Sequence, residues 1–181
     1  GVLIAFALQV HWKPLHHLIN IYIWIMRGTP LLLQLIFIYY VLPSIGIRLD
    51  RLPAAIIAFV LNYAAYFAEI FRGGIDTIPK GQYEAAKVLK FSPFATVRYI
   101  ILPQVTKIVL PSVFNEVMSL VKDTSLVYAL GISDLILVSR TAANRDVSLV
   151  PMFLAGFIYL FLIGLVTILS KKIEKKYSYY R

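Results

Sequence analysis

The sequence predicts an all-α integral membrane protein. Three observations carry this. The chain of 181 residues is 60% hydrophobic and only 15% charged, where a soluble domain needs about a quarter of its residues charged to cover its surface. Its mean hydropathy is +0.78. The apolar residues are gathered into runs near the roughly 20 residues that a helix needs to cross a bilayer. The size suits a single domain, residues 1–181.

The net charge of +9 would suggest nucleic acid in a soluble protein. Here no stripe of basic residues interleaved with aromatics is present, and basic loops on the cytoplasmic side of a membrane account for it. Cysteine is absent, which excludes disulfides, thiolate metal sites and a cysteine nucleophile.

Gly1 to Leu8 is apolar and lacks the basic region and cleavage site of a signal peptide. It is expected to be the tail of a first span that is mostly missing. A second span is expected from about Leu18 to Leu42, with Arg27 near its start and no charge from Gly28 to Ile47. A third runs from about Leu52 to Phe71. A fourth runs from about Ile108 to Val121 and carries Glu116. The last runs from Val147 to Ser170 without a charge.

Thr124 to Ser139 is short and contains Gly131-Ile132-Ser133 and Asp134. Such a stretch is more often re-entrant or interfacial than spanning. Charge bias supports this. If it does not span, one side holds Lys13, Arg72, Lys80, Lys87, Lys90, Arg98, Lys107, Lys171, Lys172, Lys175, Lys176 and Arg181. The other holds Arg48, Arg51, Lys122, Arg140 and Arg145, so the split is 12 against 5 with Arg27 at the boundary. The basic side is cytoplasmic by the positive-inside rule. Five spans in the intact protein follow, with the N-terminus out and the C-terminus in.

The loop from Gly73 to Gln104 has ordered character. Pro79 and Gly81 precede a short helix from Tyr83 to Lys90. Ser92-Pro93 is an N-cap with proline at the first helical position. A second helix is expected from Pro93 to about Leu102, stopped by Pro103. Ala85, Val88, Leu89, Phe94, Val97 and Ile101 give these helices apolar faces that need the membrane surface or a cytoplasmic partner.

Glu84-Ala85-Ala86 followed by Ile100, Leu102 and Pro103 in register resembles the coupling loop of permeases from ATP-binding-cassette (ABC) importers. In that family the helix-turn-helix docks on the ATP-binding subunit. The motif's central Gly is Lys90 here. A lysine there either strains the turn or leaves it to Phe91-Ser92-Pro93. Arg27-Gly28-Thr29-Pro30-Leu31-Leu32-Leu33-Gln34-Leu35, Ala64 through Ile75, and Asn115-Glu116 with Lys122-Asp123-Thr124-Ser125-Leu126 resemble the polar amino acid branch. The resemblance extends from about Ile19 to Leu169.

It implies a five-span permease core with a cytoplasmic coupling loop at residues 79–104. Gly81, Glu84, Ala85, Ala86, Lys90, Leu102 and Pro103 would serve coupling. The implied partners are a dimer of ATP-binding subunits carrying ATP and Mg, a second permease copy or paralogue, and an extracellular or periplasmic solute-binding protein. The location would be a prokaryotic cell membrane. Alternatives are an importer for another small solute, or a helical membrane module without transport activity. The chain itself has no Gly-rich loop ending in Gly-Lys-Ser/Thr and no nucleophile-plus-base set, so catalysis is expected to lie elsewhere and no cofactor is expected on this chain.

Polar groups inside spans usually face a bundle interior or a water-filled path. Glu116 is expected to bind a substrate's cationic group, or else to be partnered or protonated within the bundle. Asn62 and Asn115 would add neutral hydrogen bonds, or for Asn62 an interhelical bond. Lys122 and Asp123 form a local ion pair, or with Gln34 a gate on the substrate path. Gly28-Thr29-Pro30 would kink the pore or simply start the span, with Arg27 snorkelling to the interface. His16 and His17 are adjacent and point apart on a helix, and with His11 make a poor metal site. The twelve Tyr and two Trp read as interfacial anchors. Lys171 to Lys176 reads as a basic anchor for anionic lipid.

Overall fold

The computed structural model describes residues 1–9 and 12–177; His11 and Arg181 lie outside them. Every regular element among the described residues is helical, as expected. A short helix α1 (Val2–Ala7) lies against the later, central helix and buries Ala5. Helix α2 (Lys13–Gly28) carries Pro14 in its first turn, where a missing N–H costs nothing.

The second expected span is not one helix. Thr29 and Pro30 take extended backbone angles (φ −121°, ψ 144° and φ −62°, ψ 135°). Helix α3 (Leu31–Ile36) then leaves at 106° to α2, and continues through a π-helical turn (Phe37–Val41) and a 3₁₀ turn (Leu42–Ile45). Proline lacks the N–H for a continuous ladder and pushes the preceding residue out of the α region. The break frees carbonyls that need donors. Gln34 Nε2 donates to Met26 O at 3.0 Å, Thr29 O at 3.2 Å and Thr29 Oγ1 at 2.8 Å. Asn62 Nδ2 donates to Met26 O at 3.0 Å and to Gln34 Oε1 at 3.0 Å. Thr29 Oγ1 donates in turn to Ile25 O.

Helix α4 (Arg51–Asp76) is the centre of the bundle and touches α1, α2 and α3. Its buried positions are small: Ala54, Ala55, Ala58, Ala65 and Ala68. Lipid tails are as apolar as any core, so helices associate in a membrane by close van der Waals approach, which small residues permit. Gly74 is the closest approach of α4 to the next span: a Cβ there would overlap Val109 Cγ1.

Helix α5 (Lys80–Val88) begins three residues before the expected helix and ends two before it. It closes with Phe91 N donating to Ala86 O and Lys90 N to Lys87 O, both at 3.0 Å. This is a Schellman cap, which needs a left-handed residue after the helix. Lys90 supplies it, with φ +58°, so the motif's glycine position keeps its conformation with a lysine in it. Ser92 caps α6 (Pro93–Ala95) by accepting from Ala95 N at 3.2 Å.

Pro103 does not stop this second helix. It runs on through a π-helical turn (Thr96–Ile101) into α7 (Leu102–Asp123), and the helical path is unbroken from Pro93 to Leu130 over 38 residues. Pro103 sits in the first turn of α7. The widened turn before it opens a new hydrogen-bond register there, so the missing N–H is not needed. Gln104 Nε2 covers Ile100 O at 2.7 Å, and Thr106 Oγ1 covers Leu102 O at 2.8 Å. The expected fourth span from Ile108 is thus part of a longer helical path that starts at Pro93.

A 3₁₀ turn (Thr124–Leu130) ends at Gly131 with φ +69°. Asp134 then caps α8 (Leu135–Asp146), accepting from Leu137 N at 2.9 Å and Ile136 N at 3.1 Å. With 12 residues α8 is about 18 Å long, too short for a hydrocarbon core of about 30 Å. Helix α9 (Val150–Tyr177) follows and packs on α7 and α8. By length and composition α4, the α6–α7 path and α9 can each cross a membrane, and the bent α2–α3 pair adds a fourth crossing if it counts as one span.

Two stability predictions follow from the turns. Lys90→Gly removes a left-handed cost of roughly 1–2 kcal/mol and adds a glycine entropy cost of about 0.5–1 kcal/mol. The unfolding midpoint of the purified protein therefore rises slightly rather than falls. Gln34→Leu and Asn62→Leu each cost about 1–3 kcal/mol, because each strips donors or acceptors from the break. The double variant falls short of the sum of the singles in the same unfolding assay, since both residues serve Met26 O and each other.

Candidate functional site

The break in the α2–α3 pair, the middle of α4 and the C-terminal half of α7 enclose a cavity of about 560 Å³. Arg27, Thr29 and Leu31 line it from the break. Asn62, Tyr63 and Tyr66 line it from α4. Glu116, Ser119, Lys122 and Asp123 line it from α7. Asn62 and Tyr66 are four residues apart, and Glu116, Ser119 and Asp123 follow at i, i+3 and i+7. Each set therefore occupies one helix face.

Arg27 is exposed yet turned toward α4. Its guanidinium lies 5.3 Å from the Tyr66 ring centroid, within cation–π range, and 3.5 Å from Glu69 Oε2. Glu69 is also gripped by Arg72, at 3.0 and 2.7 Å, and Arg72 reaches Asp76 at 3.2 Å. Glu69, Arg72 and Asp76 descend one face of α4 from the cavity to within four residues of α5. A line of alternating charge thus leads from Arg27 to Asp76, four residues before α5.

Asp123 is held by Tyr63, whose hydroxyl donates to Oδ2 at 2.8 Å. The local ion pair expected between Lys122 and Asp123 is not formed; the described ion pairs involve Arg27, Glu69, Arg72, Asp76, Arg145 and Asp146. Glu116 likewise makes no ion pair among the described residues. It faces the cavity with its charge uncompensated by a contact. Asn62 is 4% exposed, and both of its amide protons are spent on Met26 and Gln34. Only its Oδ1 is left to meet a ligand. Gln34 lies behind the break rather than on the cavity wall, and Asn115 is exposed and does not line the cavity.

The cavity thus gathers Asn62, Glu116, Lys122 and Asp123 from the sequence-predicted set, and leaves out Asn115 and Gln34. It adds Arg27, Tyr63, Tyr66 and Ser119. The two tyrosines sit in the bundle rather than at an interface. Their signal was their spacing: Tyr66 is one turn beyond Asn62, and Tyr63 is next to it.

The other predicted cluster lies on α5. Gly81, Glu84 and Ala85 are exposed, and only Ala86 is buried. Beside them Val88, Leu89 and Phe94 are 81%, 69% and 78% exposed. Leu102 and Pro103 lie apart from α5, beyond the π-helical turn.

Residues 1–179 match the family described as binding-protein-dependent transport system inner membrane component. The L-cystine transport system permease protein of Bacillus subtilis is 36% identical over 182 residues, covering 99% of this chain and 78% of that protein. The arginine transport system permease protein of the same organism is 34% identical, covering 97% and 81%. A crystal structure of an amino acid ABC transporter with histidines superposes with a TM-score of 0.89 at 32% identity, covering 97% of this chain and 83% of that one. With the family matched over nearly the whole chain and the helical arrangement shared, this protein belongs to the inner membrane components of binding-protein-dependent transport systems.

Proposed function

We propose that the chain is the permease subunit of an ABC importer and that its cavity carries a polar amino acid across a prokaryotic cell membrane. The observation that carries the substrate reading is the cavity's charge pattern. Arg27 and Lys122 stand with Glu116 and Asp123 around one space of about 560 Å³, within the range of small-molecule sites. A solute bearing both an ammonium and a carboxylate meets an opposite charge at each end. A neutral sugar would answer neither sign of charge, and a simple anion would answer only one.

In this reading Glu116 takes the ammonium or a cationic side chain. Tyr63 keeps Asp123 oriented to assist. Arg27, stacked on Tyr66, takes the carboxylate. Asn62 contributes Oδ1 while its amide protons hold the helix break. Lys122 and Asp123 lie on the path to the outer end, with Gln34 fixing the break that shapes it. The cystine and arginine named for the two Bacillus relatives are both polar amino acids, in keeping with this.

Transport energy enters through the coupling loop, residues 79–104. An ATP-binding subunit dimer, carrying ATP and Mg, seats on Gly81, Glu84, Ala85, Ala86 and the exposed Val88, Leu89 and Phe94. The Schellman cap at Lys90 keeps the two helices of the loop at a set angle, and Leu102 and Pro103 pass the motion into α7. The chain itself performs no catalysis and binds no cofactor. A second permease copy or paralogue completes the path, a solute-binding protein delivers substrate from outside, and the C-terminus faces the cytoplasm. ATP-driven closure favours one of two conformations and so alternates access.

The test is ATP-dependent uptake by the full transporter in liposomes, over a panel of amino acids and their decarboxylated amines. A charge-assisted hydrogen bond is worth roughly 1.5–3 kcal/mol, so Glu116→Gln is expected to raise the apparent KM about 10- to 100-fold with assembly intact. Arg27→Gln is expected to erase the preference for amino acids over their amines. Uptake unchanged by Glu116→Gln would make Glu116 structural. No uptake of any amino acid by an assembled complex would move the substrate to another class of solute.

A further inference from the structure

A second cavity, of about 940 Å³, opens where the start of α7 meets the end of α9. Arg98, Tyr99, Gln104, Lys107 and Tyr177 give it a basic, hydroxyl-bearing rim. Ile100, Leu102, Pro103 and Ile108 give it an apolar floor. Among the described residues no carboxylate lines it.

Its depth can be read from α9. The helix carries no charge from Val150 to Ser170, a rise of about 30 Å, which matches the hydrocarbon core. Charge begins at Lys171, and Tyr177 lies about 9 Å beyond it along the axis. On α7, Lys107 is the last charge before the apolar Ile108–Leu110 run. Both helices therefore place the cavity across the boundary between hydrocarbon and headgroups. Exposed Lys171, Lys172, Lys175 and Lys176 add positive potential on the same end of α9.

We propose that this cavity is a binding site for one anionic phospholipid, with its phosphate between Arg98 and Lys107 and its upper acyl chain on Leu102, Pro103 and Ile108. Basic pockets between spans at headgroup depth suit lipid phosphates. Tyr99 and Tyr177 have the amphipathic character that favours this level. A soluble phosphate would meet the basic rim but gain nothing from the apolar floor, which is why the lipid is the occupant. The proposal needs the chain to be embedded in a membrane and does not depend on what the other cavity carries.

The test uses the assembled transporter in detergent, titrated with phosphatidylglycerol, phosphatidylcholine or inorganic phosphate and followed by native mass spectrometry. Saturable retention of phosphatidylglycerol, but not of phosphatidylcholine, is expected. Arg98→Gln with Lys107→Gln is expected to weaken it about thirtyfold, from the typical strength of two basic residues at an anionic surface. Lys171→Gln with Lys172→Gln, outside the cavity, is expected to change it much less. If the double variant does not assemble, Arg98→Lys with Lys107→Arg is expected to keep the binding and Lys107→Gln alone to lose part of it. Equal retention of phosphatidylcholine, or binding indifferent to Arg98 and Lys107, overturns the site. Displacement of the lipid by inorganic phosphate at equal concentration overturns the lipid as its occupant.

Discussion

The backbone around Gly28-Thr29-Pro30 cannot be left without hydrogen-bond partners inside a bilayer, and much of the site follows from how that demand is met. Away from water, each unpaired amide group costs several kcal/mol. Pro30 ends one ladder, and α3 departs at 106°. Gln34 and Asn62 close the gap by donating into the same carbonyl, Met26 O, and by pairing with each other. Asn62 belongs to α4, so the clasp also fixes the break against the central helix. The bend opens the cavity, and the clasp keeps the bend from wandering.

The same clasp explains which polar groups are spent on structure and which remain for chemistry. Asn62 and Gln34 are mostly consumed. Asp123 is oriented by Tyr63 yet keeps its other oxygen, and Glu116 has no ion-pair partner at all among the described residues. Arg27 is shared between Glu69 and the cavity. An insertion cost of about 2.5–3.5 kcal/mol for a charged group at a helix centre is offset at Glu116 only by attraction to Arg27 across the cavity, with no direct contact. A group kept under those terms is more useful as a ligand than as a brace.

Much of the fold was legible because membrane insertion leaves few options. Uncharged runs mark spans, and a 12-residue helix beside them cannot cross. Ser92-Pro93 marked a helix start because both residues act through local geometry. The failures share a cause: they depend on non-local or register-shifting backbone. Pro103 reads as a stop, but a π-helical turn ahead of it renews the hydrogen-bond register, and composition carries no sign of such turns. Nothing local shows that α2 ends with Arg27 against Tyr66 and Glu69. Tyr63 and Tyr66 read as anchors because most tyrosines in membrane proteins are. Lys90 shows the reverse case, where the turn geometry follows from the Schellman pattern and outlasts the glycine that usually fills it.

Glu69 then acquires a position that its exposure alone would not suggest. It holds Arg27 on the cavity side and Arg72 on the other, and Arg72 holds Asp76 at the last turn of α4. Arg27 can satisfy one bidentate carboxylate at full strength, because its planar fork matches a single partner. Its contact with Glu69 is a single one at 3.5 Å, so the rest of the guanidinium stays open to the cavity. Glu69 also takes two bonds from Arg72, and Arg72 reaches Asp76 with its remaining nitrogen. That contact lies four residues before α5. The cavity and the start of α5 are thus linked along α4 by a row of paired charges from Arg27 to Asp76.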